Sequence, residues 1–86
     1  MVTEYNYINP SVFGFRLRAA MSKRKMTGRK LAKEIERAES TICSWTNGYQ
    51  LPLFDTVIAL ADILDVSLDF LTGRSDIMEI GGVNRA

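Results

Sequence analysis

The side chains able to do chemistry in this chain are gathered in one block, and the chemistry they suit is binding to phosphate. Arg16, Arg18, Lys23, Arg24, Lys25, Arg29, Lys30, Lys33 and Arg37 are nine of the eleven basic residues, and only Glu34 and Glu36 oppose them. The block carries +7, whereas residues 38–86 carry −5 and residues 1–15 carry −1. Such segregation offers one side to a polyanion, although any basic run taken alone can be a solvated face. Thr27, Arg29, Lys30, Arg37, Thr41 and Asn47 are the candidates for phosphate contact. Catalysis is poorly served. There is no histidine, and no nucleophile–base pair or phosphate-cradling glycine loop is visible. One cysteine, Cys43, rules out an internal disulfide, and without histidine a zinc site is not expected. We therefore expect no enzyme, no cofactor and no metal.

The elements that must position this block lie between Thr27 and Gly48. Leu31, Ala32 and Ile35 form one apolar stripe at helical spacing, and Ile42 and Trp45 form another. Glu36-Arg37-Ala38-Glu39 between them is too short for a free loop. Two helices joined so tightly must cross steeply to lay both stripes on one core. This is a helix-turn-helix, whose second helix can enter a DNA major groove. Thr27 should cap helix 2, about Gly28 to Glu36, and its first amides could also hold a phosphate. Helix 3 should run from about Glu39 to Asn47. Ala38 is a poor cap for it, Glu39 partly compensates through the helix dipole, and Gly48 ends it. Ile42 and Trp45 point inward, which makes Trp45 core rather than a base-stacking residue. Glu39, Ser40, Thr41, Cys43, Ser44 and Asn47 point outward. Cys43 could act as a redox switch, but a small unreactive residue is the simpler reading.

The rest of the chain supports this pair. Asn9-Pro10 starts helix 1, which should reach about Ser22 with Phe13, Leu17, Ala20 and Met21 inward and Arg16 and Arg18 pointing elsewhere. Met26 re-enters the core after the basic connection. Pro52 should open helix 4, about Leu53 to Leu64, with Val57, Leu60, Ala61 and Leu64 inward. Asp65-Val66 turns. Ser67 caps a short helix 5 with Phe70 and Leu71 inward, and Gly73 stops it. We divide the chain into an N-terminal arm, residues 1–9, a domain, residues 10–73, and a tail, residues 74–86. The tail should be poorly ordered, with one apolar patch at Ile77, Met78 and Ile80 that could pair as a strand or dock on a partner.

Eighty-six residues suffice for one small domain with a thin stability margin. No apolar run approaches the roughly 18 residues of a membrane span, and the N-terminus lacks a signal peptide's basic start and apolar stretch. A cytoplasmic protein without a membrane role is the expectation.

The segment from about Phe13 to Gly73 resembles the Cro/phage-repressor helix-turn-helix family. The resemblance rests on LAKEI in helix 2, STICSWTNG in helix 3 and its cap, LPLFDTVIALADILDVSLDFL across helices 4 and 5, and the distances between them. It implies an all-α fold, a five-helix lambda-repressor-like domain with the helix-turn-helix at helices 2 and 3. Three departures stand out. Gly28 replaces a phosphate-reaching Gln. Glu36 and Arg37 replace a Gly and an apolar residue in the turn, so that Arg37 should snorkel, its stem over the core and its charge toward DNA. Met21 and Thr46 replace an internal Arg–Glu pair, and both partners change together, which leaves no lone charge buried.

The resemblance implies base contacts from Glu39, Ser40 and Ser44 and backbone contacts from Thr27, Arg29 and Asn47. Glu can accept from cytosine N4 and Ser can serve several bases, but neither makes the usual bidentate fork. Direct readout should be modest, with more reliance on phosphate contacts and DNA shape. Neutralising four or more phosphates per subunit would cost a dimer roughly a thousand-fold in affinity between low and physiological salt. The family often makes its symmetric contact near Tyr49, Leu51, Leu53 and Phe54. The expected function is a sequence-specific, repressor-like transcriptional regulator of phage, mobile-element or bacterial origin, binding double-stranded operator DNA as a homodimer. The alternative is an antitoxin or protein-interaction module whose tail holds a protein partner.

Overall fold

A computed structural model describes residues 8–80, all helix and connection, with no strand among the described residues. The expectations for residues 1–7 and 81–86 lie outside this range. Five helices follow one another: α1 (Pro10–Lys23), α2 (Gly28–Ile35), α3 (Glu39–Thr46), α4 (Phe54–Leu64) and α5 (Leu68–Thr72). Local chemistry sets their starts. The Asn9 carboxamide oxygen accepts from the amides of Ser11 at 2.8 Å and Val12 at 3.3 Å, with Pro10 just inside the helix. Thr27 Oγ1 accepts from the Lys30 amide at 3.1 Å, and Ser67 Oγ from the Phe70 amide at 2.9 Å. Ala38 makes no side-chain cap, as expected for alanine. α4 begins one residue later than expected: Leu53 is its cap residue, and Pro52 stands outside the helix.

Helix ends show where the turn chemistry is strained. Gly48 and Gly73 have φ of 77° and 86°, the left-handed region glycine enters freely. Glu36 and Asp65 reach the same region, at φ 57° and 55°, without that freedom. Glu36 thus ends α2 from outside the helix, one residue earlier than expected.

The inward residues expected in α1, α3, α4 and α5 are all buried. In α2 Leu31 and Ala32 are buried, while Ile35 and the connecting Met26 pack partly against the cluster. Val66 does more than turn. It is 1% exposed, because the left-handed Asp65 sends the chain back and the Val66 amide bonds Ala61 O at 3.0 Å. α3 packs on α1 and α2, and α5 packs on α1 and α4. The α1–α3 contact is backbone to backbone: a Cβ on Gly14 would lie 2.5 Å from the Trp45 carbonyl oxygen and 2.7 Å from that of Thr46.

Residues 74–80 differ from the poorly ordered tail expected of them. The Ser67 amide donates to Met78 O at 2.8 Å, Ser67 Oγ donates to Ile77 O at 3.1 Å, and Met78 packs on the core. Arg16 holds the same segment from α1. Its guanidinium lies 4.5 Å from the Phe70 ring centroid and donates to Ser75 O at 2.7 Å and Asp76 Oδ1 at 2.8 Å.

Candidate nucleic-acid interface

Two buried anchors fix α3: Ile42 is 2% exposed and Trp45 is 3% exposed. An α-helix so held must turn its other residues outward or to the flanks. Glu39, Ser40, Cys43 and Asn47 are exposed, whereas Thr41 and Ser44 are half-buried at the flanks. Thr41 and Ser44 are therefore less open than helical phase alone implies. No polar side chain of the described residues is buried, so the polar front of α3 stays available. Cys43 is free and exposed.

α2 brings its N-terminus beside the middle of α3. A Cβ on Gly28 would lie 4.0 Å from Ile42 Cγ2 and meet nothing closer. Packing therefore does not require glycine there. Thr27, Arg29 and Lys30 surround this start and are exposed. Thr27 holds one of the four amides that the first turn leaves without helical partners, and the others can face an anion. Arg37 follows the left-handed Glu36; its amide bonds Ala32 O at 2.9 Å and its side chain is exposed.

The basic block divides in two. Arg16, Arg18 and Arg24 have protein partners. Arg16 makes the contacts described above. Arg18 Nη2 donates to Thr46 O at 3.3 Å and Asn47 Oδ1 at 3.1 Å. Arg24 donates from Nε to Leu64 O and from Nη2 to Asp65 O, both at 2.7 Å, and so closes the C-terminus of α4. Lys23, Lys25, Arg29, Lys30, Lys33 and Arg37 are exposed, and their side chains form no hydrogen bond or ion pair with the described residues. Their charges remain for an external anion. Sequence alone does not separate the two groups. The partners of Arg16, Arg18 and Arg24 are distant in the chain, so spacing carries no sign of them.

The turn after α3 exposes apolar surface. Tyr49, Leu53 and Phe54 are 78%, 72% and 65% exposed, and Ile58, one turn beyond Phe54, is 40% exposed. Leu51 is different: it packs partly against the core. Among the described residues no cluster of His, Cys, Asp or Glu could hold a metal, and no helix is long and apolar enough to cross a membrane.

A family model described as helix-turn-helix matches residues 17–71, which includes α2, α3 and α4 entire. No curated protein matches the chain. Among solved structures, the chain is similar to the solution structure of the SOS-response transcriptional repressor LexA from Eubacterium rectale. The identity is 24%, the TM-score 0.68, and the alignment covers all of this chain and 82% of that one. At that identity the likeness bears on the fold.

Proposed function

The chain belongs to the helix-turn-helix family of the Cro/repressor type, DNA-binding domains of transcriptional regulators, and from this premise we propose that it binds operator DNA sequence-specifically as a homodimer. The observation that carries the proposal is the division of labour around α3. Ile42 and Trp45 hold the helix from behind, and Glu39 and Ser40 stand free in front. Arg29, Lys30 and Arg37, without ion-pair partners among the described residues, belong to the adjoining helix and turn. In this reading Glu39, Ser40 and Ser44 meet base edges, and Thr27, Arg29, Lys30, Arg37, Thr41 and Asn47 meet phosphates. One copy covers half a site. Tyr49, Leu53 and Phe54, with the half-buried Leu51, join it to a second copy. Ile58 extends that surface. In this reading the protein acts in the cytoplasm as a repressor-like regulator, without cofactor or catalytic step.

Selection of bound sequences from random duplex DNA tests the proposal. A paired motif with half-sites about ten base pairs apart is expected. Binding that shows no sequence preference would overturn it. The rival, a partner-holding module working through the tail, draws on exposed Ile77. Met78 of the same patch is already packed on this domain, which leaves less apolar surface for a partner. Co-purification of a stoichiometric protein partner would favour that reading.

A further inference from the structure

We propose that Arg18 is a positioning residue for DNA binding, fixing the side-chain amide of Asn47 with its nitrogen turned outward to donate to a phosphate. The inference rests on the DNA-binding reading above. Arg18 projects from α1, and its Nη2 reaches both Thr46 O at 3.3 Å and Asn47 Oδ1 at 3.1 Å. A guanidinium only donates. The atom that Asn47 turns toward it must therefore be the oxygen. The amide nitrogen, on the other branch of the same planar group, then points away from the guanidinium. No described residue accepts from that nitrogen.

The placement suits a phosphate donor. Asn47 is the C-cap residue of α3, its backbone amide is occupied by Cys43 O at 2.9 Å, and its side chain is exposed. An untethered carboxamide can present either end to a neighbour. Only the nitrogen end suits an anion, and the oxygen end repels one. Arg18 removes the wrong orientation before DNA arrives. It also sets a cation at the negative end of the α3 dipole. Gly14 lies one helical turn before Arg18, so the link forms beside the tight packing of Gly14 on the Trp45 and Thr46 backbone.

The test measures affinity for the selected operator duplex with wild type, Arg18→Gln, Asn47→Ala and the double variant, across a salt series, with melting temperature followed in parallel. Each single change should weaken binding roughly three- to tenfold, the range of one missing solvent-exposed hydrogen bond. The double variant should bind no worse than Asn47→Ala, because Arg18 acts only through Asn47. The slope of log affinity against log salt should be the same for Arg18→Gln and Asn47→Ala. Additive losses would overturn the proposal, as would a slope in Arg18→Gln that falls by about 0.9 per subunit in the Asn47→Ala background, the mark of Arg18 touching phosphate itself. A lower melting temperature with unchanged affinity would also overturn it, leaving Arg18 a mere staple between helices. Sequence-specific binding by wild type with any of these results sinks this inference alone. Wild type that binds no DNA sinks the reading beneath it as well.

Discussion

Gly14 on α1 sits so close to Trp45 on α3 that a Cβ there would lie 2.5 Å from the Trp45 carbonyl oxygen. The three nearest neighbours of that position, Trp45 O, Thr46 O and the Thr46 carbonyl carbon, are backbone atoms and cannot swing aside. Gly14→Ala should therefore destabilise the fold by about 2 kcal/mol, although alanine raises helix propensity by about 1 kcal/mol. The displaced α3 should also bind DNA less well at temperatures where the variant remains folded. Urea denaturation and operator affinity measure the two effects. A variant as stable as wild type would show that the helices are not in such close contact.

Arg16 and Asp76 form an ion pair at 2.8 Å with very unequal burial: 16% of the Arg16 side chain is exposed, against 95% for Asp76. Solvent screens the pair, so Asp76→Asn should leave the melting temperature unchanged. Arg16→Ala should lower stability by about 2 kcal/mol, since it removes the contact with the Phe70 ring and the bond to Ser75 O. The loss should persist at high salt. Equal effects from the two variants would refute this division.

Glu36 ends α2 at φ 57°, a conformation unfavourable by roughly 1–2 kcal/mol for a residue with a Cβ. Glu36→Gly relieves it, against a gain in unfolded-state freedom. The net expectation is a stabilisation of up to about 1 kcal/mol by chemical denaturation. A clearly destabilised variant would mean that the Glu36 side chain contributes more than the turn geometry reveals.

The helices, their caps and the inner residues are legible in the sequence because each rests on neighbours within a turn or two. Asn9, Thr27 and Ser67 cap from adjacent positions, and Phe13, Leu17, Leu60 and Leu64 repeat at helical spacing. What is not legible depends on pairs far apart in the chain. Arg16 with Phe70, Arg24 with Leu64, and Gly14 against Trp45 leave no local pattern. Residues 74–80 look like a tail for the same reason: Ser67 and Arg16, which hold them, are not their sequence neighbours. Among the candidate site residues, Glu39 and Ser40 stand as open as helical phase implies. Thr41 and Ser44, one position off the buried stripe, are partly covered.

Leu53 is 72% exposed, whereas Leu51 packs partly on the core, so the two offer different tests of self-association. Leu53→Asp should leave the melting temperature near wild type, weaken self-association in sedimentation experiments and reduce affinity for a two-half-site operator. Leu51→Asp should unfold the domain more readily as well. A Leu53→Asp protein that self-associates and binds as wild type does would place the contact between copies elsewhere.

Arg29, Lys30 and Arg37 have no ion-pair partner among the described residues. Each, changed to alanine, should lower the magnitude of the salt slope by about 0.9 for every phosphate no longer neutralised. Lys23→Ala, at the C-terminal end of α1 and outside the helix pair, should leave the slope unaltered. Slopes unmoved by all four changes would remove these side chains from the DNA backbone.

The fastening of α3 by two apolar side chains and a backbone contact has a consequence for descent as well as for binding. Stability is vested in Ile42, Trp45 and Gly14, while Glu39, Ser40 and Cys43 contribute no packing. Mutation can therefore rewrite these exposed letters at little thermodynamic risk, and under the reading proposed above such changes would redirect the helix to another target while the body beneath stays the same.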